Sequence, residues 1–140
     1  MRGDIIDNAI DRAMARPRVL GRDDCGTWVA DIVKKITGHD PARELRRRYC
    51  DERGRDALIV QRWGTWVAML DAVLEPAGYV RLKGMTDGAR GDIGFASRGD
   101  MRGAICLALG GGDWVTRGEK GVAFVKSNVI YPIWRNRHGH

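Results

Sequence analysis

Residues 23–38 read Asp23-Asp24-Cys25-Gly26-Thr27-Trp28-Val29-Ala30-Asp31-Ile32-Val33-Lys34-Lys35-Ile36-Thr37-Gly38. Beyond Cys25 the apolar residues Trp28, Val29, Ile32, Val33 and Ile36 recur every three or four positions. That is the period of a helix with one buried face. Asp23 and Asp24 are good N-cap residues, and Gly38 stands where a helix is expected to close. The stretch predicts an amphipathic helix with a cysteine in its first turn. The positive end of the helix dipole favours a thiolate there, whereas the charge of Asp24 disfavours a second anion beside it. A cysteine at this position is either a nucleophile or a small core residue.

The 140 residues suffice for one domain with a proper core. No stretch reaches the apolar length of a membrane helix, and the N-terminus lacks the apolar block of a secretion leader. Cys25, Cys50 and Cys106 stand far apart with no metal-ligand spacing. This argues against a zinc site or a disulfide framework, and for reduced thiols in a cytosol. No metal and no cofactor is expected. The net charge of +6 permits an acidic partner, but the basic residues are scattered. Arg46-Arg47-Arg48 is the one tight cluster, and it reads as a solvated helix face.

Residues 4–16 carry Ile5, Ile6, Ala9, Ile10, Ala13 and Met14 at helical spacing and predict a first helix ending before Pro17. After the break at Gly38-His39-Asp40-Pro41, residues 44–49 predict a short basic helix. Residues 54–63 and 65–74 predict two more, closed by Pro76-Ala77-Gly78. From residue 79 on, glycines become frequent and apolar runs shorten. The runs 79–82, 92–96, 103–109, 113–116, 122–125 and 129–134 read as antiparallel strands in a meander. Gly110-Gly111-Gly112 reads as a hairpin turn, because no capped helix follows it to cradle a phosphate. The expectation is α+β: a helical half over about 1–78 packed on an antiparallel sheet over about 79–134, with a polar tail at 135–140.

The pairing of Asp24-Cys25 at a helix start with Gly91-Asp92-Ile93-Gly94-Phe95 at the opening of a sheet resembles the NlpC-like branch of the papain-like cysteine peptidases. In that family an Asp-Cys pair begins the central helix and a Gly-Asp begins the first core strand. The next strand carries a histidine shortly before a glycine-ended apolar run. More narrowly, Asp24-Cys25, Thr37-Gly38-His39-Asp40-Pro41, Tyr49 and Gly91-Asp92 resemble a phage and prophage domain family of unassigned activity. Such proteins are associated with the tips of long-tailed phage tails. The resemblance implies one NlpC-like domain over residues 1–140, with Cys25 in the place of the nucleophile.

A cysteine nucleophile needs an imidazole within hydrogen-bond reach. Aligning the family's second strand with Gly103-Ala104-Ile105-Cys106-Leu107-Ala108-Leu109-Gly110 puts Ala104 at the histidine's place, and alanine has no proton to move. His39 lies beyond the far end of the Cys25 helix, about 20 Å away at 1.5 Å per residue. His138 and His140 could substitute only if the tail folds back over Cys25.

The expectation is therefore a structural or assembly component of the phage tail tip on a degenerate, inactive peptidase fold. It would be made in the host cytoplasm and carried in the virion, with other tail proteins as its partners. Arg46, Arg47, Arg48, Trp114 and Trp134 are the candidate partner surface, since Trp and Arg are enriched at binding hot spots. The alternative is an active peptidase or amidase acting on cell-wall peptide, with Cys25 as nucleophile, His138 as base and helix-start N–H groups as oxyanion site. A nucleic-acid partner rests on net charge alone and is not expected.

Overall fold

The computed structural model describes residues 2–99 and 103–137. Four helices come first: α1 (Arg2–Met14), α2 (Cys25–Thr37), α3 (Glu52–Trp63) and α4 (Trp66–Leu74). Six strands follow, β1 (Tyr79–Arg81), β2 (Ile93–Ala96), β3 (Ala104–Gly110), β4 (Asp113–Gly118), β5 (Gly121–Lys126) and β6 (Ile130–Asn136). They form one sheet in the order β1-β6-β2-β3-β4-β5, and every neighbouring pair is antiparallel. The class is α+β, with the helices against one face of the sheet. No described helix is long and apolar enough to cross a membrane.

Helix α2 lies at the centre. Its apolar stripe, Cys25, Trp28, Val29, Ile32 and Val33, is buried against β3 and β4. Thr27 and Ala30 are buried as well, so the helix is covered beyond that stripe. Helix α1 contributes Ile6, Ala9 and Ala13 to the same core, and the Trp28 indole donates to the Ala9 carbonyl at 3.2 Å. The Gly38 closure is as expected: φ is +81° and its N–H bonds to the Lys34 carbonyl.

The other face of the sheet has its own small core, built from Ala96, Cys106, Ala108, Trp114, Val125, Ile130 and Ile133. No helix covers it. The chain between β1 and β2 folds over instead, and the Trp114 indole donates to the Asp87 carbonyl at 3.1 Å. A Cβ on Gly88, where φ is +86°, would lie 2.5 Å from that ring, so the close approach requires glycine.

Trp114 and Trp134 are therefore core residues, at 0% and 1% exposure, and not a partner surface. Trp134 sits on the helix side, with its indole N–H on Asp71 at 2.9 Å. Two further expectations are corrected. Residues 41–47 form turns rather than a basic helix: Arg47 is left-handed (φ +61°), because its N–H reaches out to the Gly21 carbonyl at 2.8 Å. Arg135 and Asn136 are not tail residues. They continue β6, paired with Val80 and Tyr79, and Arg135 grips the buried Asp92 carboxylate at 2.7 Å.

One residue ties the two halves together. The Arg117 side chain of β4 is fully buried, yet its guanidinium donates to the carbonyls of Gly121 (2.6 Å), Arg16 (2.8 Å) and Gly118 (3.3 Å). It also bonds both carboxylate oxygens of Asp23 at 3.2 and 3.1 Å. Burial acts to raise the Asp23 pKa, but bonds and charge from Arg117, and then Arg16, outweigh it and hold it below the ordinary 3.8.

Replacing Arg117 with Met is expected to cost about 3–5 kcal/mol, as for other broken buried pairs. Urea denaturation measures it, and a loss under about 1 kcal/mol would refute the role given to the pair. Because the folded Asp23 pKa lies below the unfolded one, the pair's contribution is complete above the unfolded value. It disappears as pH falls through the folded value. Wild type is therefore expected to lose more stability than Asp23→Asn between about pH 5 and about pH 2.

Candidate functional site

Asp24 is the N-cap of α2, held by a reciprocal pair of bonds. Its carboxylate accepts from the Thr27 N–H at 2.9 Å, while the Thr27 hydroxyl accepts from the Asp24 N–H at 2.8 Å. The carboxylate is almost wholly buried, and it also accepts from the Gly21 N–H at 2.9 Å and the Tyr49 hydroxyl at 2.5 Å. A buried anion is tolerable only when its lone pairs are filled, and here they are. The same contact explains Gly21, whose φ is +86° and whose Cβ would lie 2.2 Å from the Tyr49 carbonyl oxygen. Burial, followed by the charge of Asp24, keeps the Tyr49 hydroxyl protonated far above its ordinary value of 10.

Cys25 follows directly, at 9% exposure. Of the two opposing influences visible in the sequence, burial reinforces the Asp24 charge and outweighs the helix dipole. Desolvation is the largest cause raising the thiol pKa above 9.0, and Asp24 adds to it. A backbone bond from Ile105, and the more distant Arg55 and Arg18, pull the other way without reversing the shift. Cys25 is a protonated thiol in the core. Cys106, on the opposite face of the sheet, is also pushed up, to about 12, mainly by burial.

The strand that should supply a base does not do so. Side chains alternate faces along β3, with Ile105 and Leu107 on the α2 side and Cys106 and Ala108 on the other. Ala104 belongs to the far face and packs with Cys106, so a histidine there would point away from Cys25. That corrects the expectation drawn from the strand alignment. The β3 residue that meets Cys25 is Ile105, which also has no proton to give. His39 is half-buried beyond the C-terminal end of α2, and His138 lies outside the described residues.

Among the described residues, the cavity that opens beside the first turn of α2 is small. The apolar cavity between α2, residues 41–49, α4 and β2–β3 has a volume of about 40 Å³ and is lined by Gly26, Val29, Leu45, Leu70 and Ile105 among others. Ligand pockets run to about 300–1,000 Å³. Among the described residues no group of three His, Cys, Asp or Glu side chains is placed to hold a metal ion.

The basic cluster is divided in function. Arg46 is tied to Asp31 at 2.7 Å and to Asp40 at 2.8 Å. Arg47 and Arg48 are exposed. The residues that matter most to this corner and escaped sequence reading are Arg117 and the Gly21–Tyr49 contact. An arginine at an inward position of an apolar strand was the available signal for Arg117, because alternation puts it on the same side as Val115.

Residues 3–136 match the model of a family described as a domain of unknown function, DUF6950, so the chain belongs to that family. No curated protein and no solved structure matches the chain.

Removing the Tyr49 hydroxyl tests the cap. Tyr49→Phe leaves the ring but takes one donor from a buried carboxylate, and is expected to cost about 1.5–3 kcal/mol in urea denaturation. An unchanged midpoint would show that Asp24 does not depend on that bond.

Proposed function

We propose that this DUF6950 protein is a structural component of a phage tail, in the tip region, built on an NlpC-like fold that has lost its peptidase chemistry. The observation that carries the proposal is Cys25. It occupies the first position of the central helix, where the family resemblance puts a nucleophile, and it is buried beside the Ile105 backbone with its thiol pKa raised. A nucleophile of that kind needs a thiolate, a base in reach and an approach for the scissile bond.

The other residues of the resemblance support the same reading, because each makes an architectural bond. Asp24 caps α2 and holds Tyr49, Asp40 holds Arg46, and Asp92 holds Arg135. A scaffold is kept by such contacts whether or not its site remains active. Partners would be other tail proteins. Arg47 and Arg48 remain as candidate contact residues, whereas Arg46, Trp114 and Trp134 are already engaged inside the molecule. The protein would be made in the host cytoplasm and incorporated into the virion.

Alkylation kinetics in a Cys50→Ser background test the chemistry, since Cys50 is the exposed thiol. Neither Cys25 nor Cys106 is expected to label until the protein unfolds. Rapid native labelling of Cys25 with an apparent pKa well below 9.0 would sink the inactive reading and direct attention to His138→Ala. The location is tested separately, by immunoblotting purified particles and scoring assembly with Cys25→Ser. The protein is expected in the tail fraction, with particle yield unchanged by the substitution. Its absence from particles would end the tail assignment.

A further inference from the structure

Strand β5 forms one edge of the sheet and pairs only with β4, over all six of its residues and without a register shift. Proteins usually blunt such an edge with a bulge, a proline, an inward charge or a very short strand. The opposite edge, β1, is three residues long. Gly121-Val122-Ala123-Phe124-Val125-Lys126 has none of these devices until its final lysine. Phe124, in the middle, is 69% exposed, the highest value among the exposed large apolar side chains described.

The hairpin fixes which way each backbone group of β5 points. Glu119-Lys120 is a two-residue turn closing the pair Gly118–Gly121. The residues flanking such a turn exchange both of their hydrogen bonds, and bonded and non-bonded pairs then alternate along the ladder. Ala123 and Val125 therefore bond to β4, while Val122, Phe124 and Lys126 aim their N–H and C=O groups out of the sheet. Lys126 is the N-cap of the short 3-10 turn Ser127–Val129, so one lone pair of its C=O is taken by that turn, while the outward groups of Val122 and Phe124 lie on the edge that β4 does not occupy.

We propose that β5 is a dimerisation strand, pairing antiparallel with β5 of a second copy about a twofold axis through Phe124. In that register Phe124 exchanges hydrogen bonds with the partner's Phe124, and Val122 with the partner's Lys126. The outward groups of Val122 and Phe124 and the N–H of Lys126 are satisfied at once, the Lys126 C=O using its second lone pair, and the two six-stranded sheets become continuous. Sliding the strands by two residues toward the turn sets Lys126 against the partner's Lys120, opposing like charges. Sliding them the other way leaves only Phe124 and Lys126 to pair. Charge and hydrogen bonding thus select the same register, and the strand is its own complement, which makes a second copy the occupant.

Side chains agree with the backbone. Phe124 is paired with Val115, a residue of the helix-side core, so it stands on that side of the edge together with Val122. Met14 is 61% exposed and reaches the Gly121 end of the strand, its sulfur 3.3 Å from where a Gly121 Cβ would be. The alkyl stem of the partner's Lys126 would lie over Val122, and the paired phenyl rings would meet on the axis.

Sedimentation equilibrium of the full chain from about 1 to about 500 μM, the range suited to a small interface, tests the proposal. Wild type is expected to show a monomer–dimer equilibrium. Phe124→Lys is expected to weaken it at least about tenfold without changing thermal unfolding, because the side chain is exposed. In the Cys50→Ser background a short bis-maleimide is expected to join Phe124→Cys chains into dimers and to leave Val60→Cys chains single. Val60 is an exposed α3 residue outside the strand. A monomer throughout the range overturns the proposal. So does a dimer indifferent to Phe124→Lys, or one cross-linked equally well through Val60→Cys.

Discussion

Two consecutive carboxylates, Asp23 and Asp24, set the position of the central helix. They point in opposite directions and are neutralised by different means. Asp24 turns to the 41–49 segment and is held by N–H and O–H donors together with the positive end of α2. Asp23 turns to the β4–β5 hairpin and is held by a buried arginine. Adjacent anions would otherwise repel, so each requires its own partner, and the two partners come from elements far apart in the chain. The connection from α1 to α2 is thereby fastened on both sides. Because Asp24 is an anion in low dielectric, it also raises the energy of a second anion at Cys25. The feature that starts the helix correctly is one that keeps the thiol protonated.

What could be read in advance follows from what is local. The α2 stripe, its cap and its closing glycine depend on residues within about two turns of each other. So do the strand runs, whose boundaries lie close to those observed. The rest depends on contacts across the chain. The 41–49 segment contains good helix formers, but its backbone is bent by the Arg47–Gly21 bond, more than twenty residues away in sequence. Trp114 looked surplus to the helix–sheet core because nothing in the sequence announces that residues 82–91 fold over the second face. The polar pair Arg135-Asn136 looked like tail because its partners, Asp92 and β1, are distant.

The candidate site shows how a linear match and strand geometry can point to different residues. A linear match puts the absent histidine at Ala104, but strand parity decides which side chains face α2. A shift of one residue moves every side chain to the other face. Ile105 is the neighbour of Cys25, and the absence of an ionisable group on β3 beside the thiol follows from that residue. The two arguments agree only because neither residue is titratable. A sequence carrying His at 104 and Ile at 105 would pass the linear test and still leave the cysteine without a base.

Net charge likewise overstates the available surface. Arg16, Arg46, Arg81, Arg117 and Arg135 are all held by carboxylates of the same chain, Arg16 and Arg117 by Asp23 ahead of α2 and Arg135 by Asp92 at the start of β2. Arg12, Lys34 and Lys35 line a groove between α1 and α2, where Arg16 and Asp31 also sit. A charge already paired within the fold releases few counterions on contact with a polyanion, and counterion release supplies most non-specific nucleic-acid affinity. The arginines paired in this way position secondary structure, and the excess of +6 is carried by the basic residues that remain. Association through an unpaired strand edge draws on backbone hydrogen bonds and a phenyl ring instead, and is therefore far less sensitive to salt than binding through the charge would be.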